Sequence, residues 1–336
     1  MKKILIIYTG GTIGMTRTEN GYAPQSGRFR AALDAISDLR ADVMPAWELV
    51  ETSPLLDSSN MTVREWNKIA RLIAEGYGEY DGFIVLHGTD TMAYTASALS
   101  FMLGGLDKPV VLTGSQIPLC EVRSDGRDNL IAALLIAGEG AVREVCLYFG
   151  GKLLRGNRAT KYSADGLIAF ISPNYPILAE AGISIKYNEA ALLPRQTGGL
   201  RLQTLDSVPI GVIKVFPGIQ FSLFESIMTE KLRGIVIETF GAGNIPGDGN
   251  ALLPIIRRAF RNGTVLTVCS QCPQGAVALG AYETSGALKK AGAVSGLDMT
   301  TEAAVAKLYY LFSRGYEKEE IKRLMEENLR GEVTLP

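Results

Sequence analysis

The chain has 336 residues, 47% of them hydrophobic, and its 34 basic and 35 acidic side chains leave a formal net charge of −1. That length accommodates two cores, because single cores stop growing near ~250–300 residues, and the balanced charge excludes an electrostatic case for a nucleic-acid or anionic-membrane partner. A single histidine excludes a three-histidine metal site. Four cysteines are too few to staple a protein of this size, so a reduced, cytoplasmic compartment is expected.

The first predicted element is a strand over Lys3–Tyr8. Lys2-Lys3 followed by Ile4-Leu5-Ile6-Ile7 has the start of a signal peptide, but Thr9-Gly10-Gly11 interrupts where an apolar run of ~7–15 residues would continue. No apolar run elsewhere approaches the ~20 residues of a membrane helix. The strand leads into Tyr8-Thr9-Gly10-Gly11-Thr12-Ile13-Gly14. A dinucleotide fingerprint needs G-x-G-x-x-G opening a helix, yet Thr9 occupies the first glycine position. Met15–Pro24 reads as a hairpin or flap turning at Asn20-Gly21. No helix N-terminus follows to receive a phosphate, so what remains is Thr12 presented on a glycine-flanked turn.

A second strand is predicted at Trp47–Glu51. Thr62-Val63-Arg64-Glu65 is a capping-box sequence opening a helix over Trp66–Tyr77. Strands follow at Gly82–Leu86, Val110–Leu112 and Glu144–Phe149, with a helix over Asp90–Leu103 between the first two. Continuous apolar runs of this length suit strands buried on both faces of a parallel sheet, and the class is α/β, doubly wound. The stretch from Tyr187 to Ser207 holds Pro194 and Gly198-Gly199 and shows no sustained period. It divides the chain into an expected N-terminal domain over 1–187, a linker over 188–208 and a C-terminal domain over 209–336. In the second domain strands are predicted at Ile210–Val215, Gly234–Ile237 and Thr264–Val268, and a helix at Leu252–Asn262.

Small polar residues gather after each of the first four strands: Thr9-Gly10-Gly11-Thr12, Thr52 through Ser59, His87-Gly88-Thr89-Asp90-Thr91 and Thr113-Gly114-Ser115-Gln116. In an open parallel sheet such carboxyl ends share one edge, where ligands bind. Turn formation accounts for any one of these clusters, but less well for four in succession, two of them carrying an acid. A threonine hydroxyl needs a base or proton relay to act as a nucleophile. Thr89 and Asp90 supply a second hydroxyl and a carboxylate. Lys161 ends the polar loop Gly156–Lys161 and supplies an amine, although spacing alone does not distinguish it from a solvated surface lysine. His87 is assigned a structural role. Cys269-Ser270-Gln271-Cys272 reads as two reduced thiols, because one pair cannot make a four-cysteine zinc site. No metal or cofactor is expected.

At these residues the chain resembles the bacterial-type L-asparaginase family, specifically its type I (cytoplasmic) branch. The motifs that carry the resemblance run in order along nearly the whole chain: TGGTIG from Thr9, DSSNMT from Asp57, LHGTDTM from Leu86, TGSQ from Thr113, RSDGRDNL from Arg123, RGNRATK from Arg155, ETFGAGN from Glu238, SGLDMT from Ser295 and LRGE from Leu329. The resemblance implies an asparaginase-like fold with a larger N-terminal and a smaller C-terminal α/β domain, assembled as a homodimer or dimer of dimers. It implies hydrolysis of the side-chain amide of L-asparagine, with Thr12 as nucleophile and Tyr22 on a flap whose hydroxyl bonds to it. Thr89, Asp90 and Lys161 match the second catalytic set. Asp90 also matches the residue that grips the substrate ammonium, and Asp57, Ser58, Ser59, Thr89 and Ser115 complete the substrate pocket. Asn244 and Tyr282 match contributions from a partner's C-terminal domain. Some members carry a second, regulatory asparagine site near Cys272 and Ser270. Glu238 stands where that site uses an arginine, so little or no asparagine activation is expected. A related reading, the glutamine-hydrolysing component of a tRNA-dependent amidotransferase, implies an additional N-terminal domain, whereas here the TGG motif begins at Thr9. A third, a non-catalytic amino-acid-binding module, has no use for the full set Thr12, Thr89, Asp90 and Lys161.

Overall fold

The computed structural model describes residues 1–19, 21–225, 231–246, 252–281 and 283–335. The chain forms two compact units, one comprising 1–172 and 176–203, the other 173–175 and 204–336.

The N-terminal unit begins with β1 (Lys3–Gly10), the hairpin β2 (Met15–Thr18) and β3 (Gly21–Pro24), then α1 (Phe29–Asp34), β4 (Ala46–Leu56) and α2 (Val63–Gly76). It continues through β5 (Gly82–Leu86), α3 (Met92–Met102), β6 (Leu103–Gly104), β7 (Val110–Thr113), α4 (Gly126–Glu139), β8 (Val145–Phe149) and β9 (Lys152–Arg155). Short strands complete it: β10 (Thr160–Lys161), β11 (Phe170–Ile171), β12 (Ala179–Ala181), β13 (Ile185–Tyr187) and β14 (Arg201–Leu202). Eight strands form the central sheet in the order β13-β12-β9-β8-β7-β5-β1-β4. The strands β4, β1, β5, β7 and β8 run parallel. In β1, β5, β7 and β8 the residues are buried on both faces, with Ile4, Ile6, Ile7, Phe83, Ile84 and Val85 fully enclosed, as expected for a sheet covered on both sides.

The sheet is mixed: the predicted strands run parallel, and the further strands, not predicted, pair antiparallel. β9, β12 and β13 add an antiparallel edge. The β8–β9 connection is a tight turn with positive φ at Gly150 and Gly151, which returns the chain beside the strand it has left. The other edge is β4, longer than predicted. It accommodates Pro54, which lacks a ladder donor and is tolerated at an edge. α2 begins as predicted, with the Thr62 hydroxyl accepting from the Arg64 N–H at 3.3 Å and bonding to the Glu65 carboxylate. The flap is an antiparallel hairpin in which Met15 faces Pro24 and Thr18 faces Gly21. Asn20, half of the predicted turn, lies outside the described residues.

A buried ion pair, Arg155 to Glu144 at 2.6 Å, ties down the segment that leaves the sheet. Arg155 donates to the Ala191 carbonyl at 2.7 Å, and Glu144 accepts from the Leu193 N–H at 2.8 Å. β14 pairs with β6, so the chain is hydrogen-bonded to this unit as far as Gln203.

The C-terminal unit carries β15 (Ile210–Lys214), β16 (Gly234–Thr239), α5 (Leu252–Arg261), β17 (Val265–Ser270), α6 (Glu283–Lys290), β18 (Val294–Ser295), α7 (Thr301–Ser313) and α8 (Lys318–Met325). Its four strands form a parallel sheet in sequential order, packed around Ile235, Ile237, Leu266 and Val268 with Ile255, Ile256 and Leu288 from the helices. A fully buried ion pair, Lys307 to Glu332 at 2.6 Å, anchors the C-terminal segment to α7. The Glu332 carboxylate also accepts from the Leu329 and Arg330 N–H groups at 3.0 and 2.6 Å, which satisfies a charge that would otherwise be costly to bury. No helix among the described residues is long and apolar enough to cross a membrane.

Candidate active site

Strand order reverses at β1, which has β4 on one side and β5 on the other. Loops leaving adjacent strands diverge at such a point and open a crevice beyond their carboxyl ends. Two glycines close the distance between the loops here. Gly11 has φ +80°, and a Cβ on it would lie 2.3 Å from the Gly88 nitrogen and 2.4 Å from the Gly88 Cα. A Cβ on Gly88 would lie 2.6 Å from the Ser58 Oγ. A Cβ finds no room at either place: at Gly11 backbone presses on backbone, and at Gly88 backbone presses on the Ser58 side chain. The turns carrying Thr12, Ser58 and Thr89 are therefore held in direct contact.

Thr12 opens a 3-10 turn over Thr12–Gly14 and is half-buried. Beside it, three of the predicted side chains meet. The Lys161 ammonium donates to the Thr89 hydroxyl oxygen at 2.9 Å and to the Asp90 carboxylate at 2.5 Å. Thr89 is buried and Asp90 exposed. Lys161 reaches them from β10, which pairs with β11. Asp57 caps the 3-10 turn Ser58–Asn60, accepting from the Ser59 N–H at 2.9 Å and the Ser59 hydroxyl at 2.8 Å. Ser58 is buried, and its carbonyl accepts from the Thr91 hydroxyl at 2.7 Å, tying this turn to the loop after β5. Ser115 is buried on the loop after β7, and its hydroxyl has no partner among the described residues.

Tyr22 is placed differently from what the resemblance implies. Its hydroxyl donates to the Glu121 carboxylate at 2.5 Å, not to Thr12. A carboxylate is a stronger acceptor than a neutral hydroxyl, and this bond raises the phenol above its ordinary pKa. The flap hairpin is thus latched to the loop before α4.

Several residues that organise the site lay outside the predicted set. The Asp125 carboxylate accepts from the Gln116 N–H at 3.0 Å, the Ile117 N–H at 3.0 Å and the Asn129 side chain at 3.2 Å. Asn129 in turn donates to the Gly114 carbonyl at 3.0 Å. The motifs TGSQ and RSDGRDNL contain all of these positions except Ile117, but only contact distinguishes a loop-holding acid from a surface one.

His87 is fully buried and sits behind the site. Its Nδ1 faces the Gly88 carbonyl at 2.7 Å, so that nitrogen carries the proton, and Nε2 accepts from the Thr95 hydroxyl at 2.9 Å. Thr95 accepts in turn from the Trp66 indole at 3.0 Å. Burial lowers the imidazole pKa from 6.5 to about 4. Because the folded value lies below the unfolded one, the resulting stability is fully present above the unfolded pKa and is lost as pH falls through the folded one. The gap corresponds to about 3 kcal/mol. Denaturant midpoints should fall across that window on acidification, and His87→Gln, which cannot take up the proton, should show a flatter profile there. Parallel profiles for the two proteins would contradict this.

In the C-terminal unit, the Glu238 carboxylate accepts from the Thr301 hydroxyl at 2.6 Å and lies 3.8 Å from the Lys214 ammonium. The Ser270 hydroxyl donates to the Gly241 carbonyl at 2.7 Å and accepts from the Cys272 N–H at 3.0 Å. All four cysteines are free, Cys269 buried and Cys272 exposed, and burial pushes the Cys269 thiol up to about 12. Asn244 closes a tight turn with Phe240, N–H to carbonyl at 2.8 Å, in this same unit. Tyr282 lies outside the described residues. No group of three or more His, Cys, Asp or Glu among the described residues could hold a metal ion.

Hydroxyl-bearing turns at one edge of the sheet, with a lysine bridging a threonine and an aspartate, are the equipment of a hydrolase for a small polar substrate. Residues 3–193 match the family described as Asparaginase, N-terminal, and residues 209–325 the Glutaminase/Asparaginase C-terminal domain. The chain is 46% identical to L-asparaginase 1 of Escherichia coli (strain K12), over 99% of this chain and 98% of the other. It superposes on the crystal structure of L-asparaginase I from Vibrio cholerae with a TM-score of 0.92 and 44% identity, covering 99% of each chain. A glutamyl-tRNA(Gln) amidotransferase component of Thermococcus kodakarensis is 33% identical over 99% of this chain and 77% of its own length. The chain belongs to the asparaginase family of amidohydrolases.

Proposed function

We propose that this protein hydrolyses the side-chain amide of L-asparagine to L-aspartate and ammonia through a threonyl acyl-enzyme. The Thr12 oxygen attacks the amide carbon. The bond to nitrogen breaks, the threonine proton leaves with the nitrogen as ammonia, and water then cleaves the β-aspartyl ester to restore the hydroxyl. Asp90 binds the substrate ammonium, and the donors of the Asp57–Ser59 turn, with Ser115, meet its carboxylate. Lys161 acts through Thr89, to which it donates.

One observation carries the reading. The Lys161–Thr89–Asp90 cluster is built onto a loop whose backbone touches the turn of Thr12. Donors preset around a developing oxyanion are worth about 3–4 kcal/mol each. The amidotransferase relative offers weaker support for a glutamine-hydrolysing role, at 33% identity against 46%.

The protein is further proposed to act in the cytoplasm, where its four free thiols remain reduced, as a homodimer or dimer of dimers in which a partner's Asn244 and Tyr282 reach the pocket. With Glu238 already bonded to Thr301, asparagine is not expected to activate the enzyme. Ammonia release measured with asparagine, with glutamine and without substrate tests the proposal. Release from asparagine with hyperbolic kinetics is expected. Equal background release in all three reactions would end the asparaginase reading.

A further inference from the structure

We infer that Gln116 is a positioning residue, whose side-chain carbonyl accepts the hydrogen bond of the Thr89 hydroxyl so that a lone pair of that oxygen stays on Lys161. The inference rests on the proposed roles of Thr89 and Lys161. A threonine hydroxyl has one proton to give. Here Thr89 donates it to the Gln116 side-chain carbonyl at 3.1 Å while accepting from Lys161 at 2.9 Å.

Chemistry settles which way the Gln116 amide faces. Its nitrogen donates to the Gly166 carbonyl at 3.3 Å, and a carbonyl can only accept, so the amide oxygen is the atom turned to Thr89. The main chain at this point is equally constrained. The Gln116 N–H is held by both oxygens of Asp125, at 3.1 and 3.0 Å. Gln116 therefore joins three loops: its own, held by Asp125; the Thr89 loop; and the segment following Lys161, through Gly166. With its proton so committed, the Thr89 hydroxyl cannot rotate to offer that proton to Asp90 or to solvent, and one geometry toward Lys161 persists.

Misplacing a reacting group by about 1 Å can cost ~100-fold in rate. Gln116→Met keeps the length of the side chain and removes both polar atoms. It should lower kcat for asparagine by ~10- to 100-fold with little change in KM. Gln116→Glu keeps an acceptor for Thr89 but loses the donor to the Gly166 carbonyl, and should recover part of that loss. Its added charge, bonded to the same oxygen as Lys161, favours the protonated amine and should move the pH profile upward by up to ~1 unit. A residue acting only through Thr89 should add nothing once that hydroxyl is gone, so Gln116→Met in a Thr89→Val background should match Thr89→Val alone.

Steady-state ammonia release by the full chain across pH measures all four variants. Wild-type kcat in Gln116→Met, an unmoved profile in Gln116→Glu, or a further loss in the double variant would overturn the inference. Full turnover by Thr89→Val would instead overturn the underlying reading of the site. Should Gln116→Met fail to fold, the Gln116→Glu profile still decides.

Discussion

Ammonia release from asparagine should disappear when Thr12 is replaced by alanine, while the fold is preserved. The expected loss is at least ~10⁴-fold, because removing a nucleophile leaves only the contribution of binding and oxyanion stabilisation. Stability should change by no more than about 0.5 kcal/mol. Thr12 is half-buried, and the backbone of its turn is held by the Gly11 N–H on the Leu56 carbonyl at 3.0 Å and the Gly14 N–H on the Gly11 carbonyl at 3.3 Å. None of these bonds uses the hydroxyl. A thermal midpoint and turnover measured on the same preparation check both halves of the expectation. Retained turnover would remove Thr12 from the role of nucleophile.

Lys161→Met should cost ~10²- to 10⁴-fold in kcat, the range of a lost proton-transfer group, with a smaller change in KM. Methionine keeps much of the aliphatic stem, so packing around β10 is largely retained. What is lost is the donor that the Thr89 oxygen and Asp90 share. Asp90 is exposed, so water can solvate its freed carboxylate, and its grip on a substrate ammonium should persist. A rise in KM at constant kcat would recast Lys161 as a binding residue.

Three strands that carry the site, β1, β5 and β7, were legible because each is a short, largely apolar run ending in small polar residues. Gly82–Leu86 has the same bounds in prediction and structure, and β1 and β7 extend theirs by only one or two residues. β9, β12 and β13, of three or four residues, were not, because the charged residues Lys152, Arg155, Glu180 and Lys186 interrupt any apolar run there. α4 went unpredicted for a different reason. It buries Leu130, Ala133, Leu134, Ile136 and Ala137 around much of its circumference, which erases the amphipathic stripe by which helices are found. α7 did carry a signal that could have been used: Thr300 caps it through a bond to the Ala303 N–H at 3.2 Å. At the candidate site, residue chemistry pointed to Thr12, Thr89 and Asp90, whereas Lys161 came in by resemblance. The latch between Tyr22 and Glu121, 99 residues apart, left no trace in the order of residues.

Local pattern was enough to establish an α/β chain with hydroxyl-rich turns following its first strands, because burial and turn formation depend on residues within a few positions of one another. Pairings between distant side chains had to await the folded sheet. Lys161 lies 72 residues from Thr89 and Gln116 lies 27, and a hydrogen bond exists only within a few tenths of an ångström of its optimum. Strand order sets the loop of Thr89 beside that of Gln116, and the β10–β11 pair delivers Lys161 to them. Tertiary structure therefore decided which hydroxyl meets the amine, which amide holds that hydroxyl, and where the flap tyrosine rests.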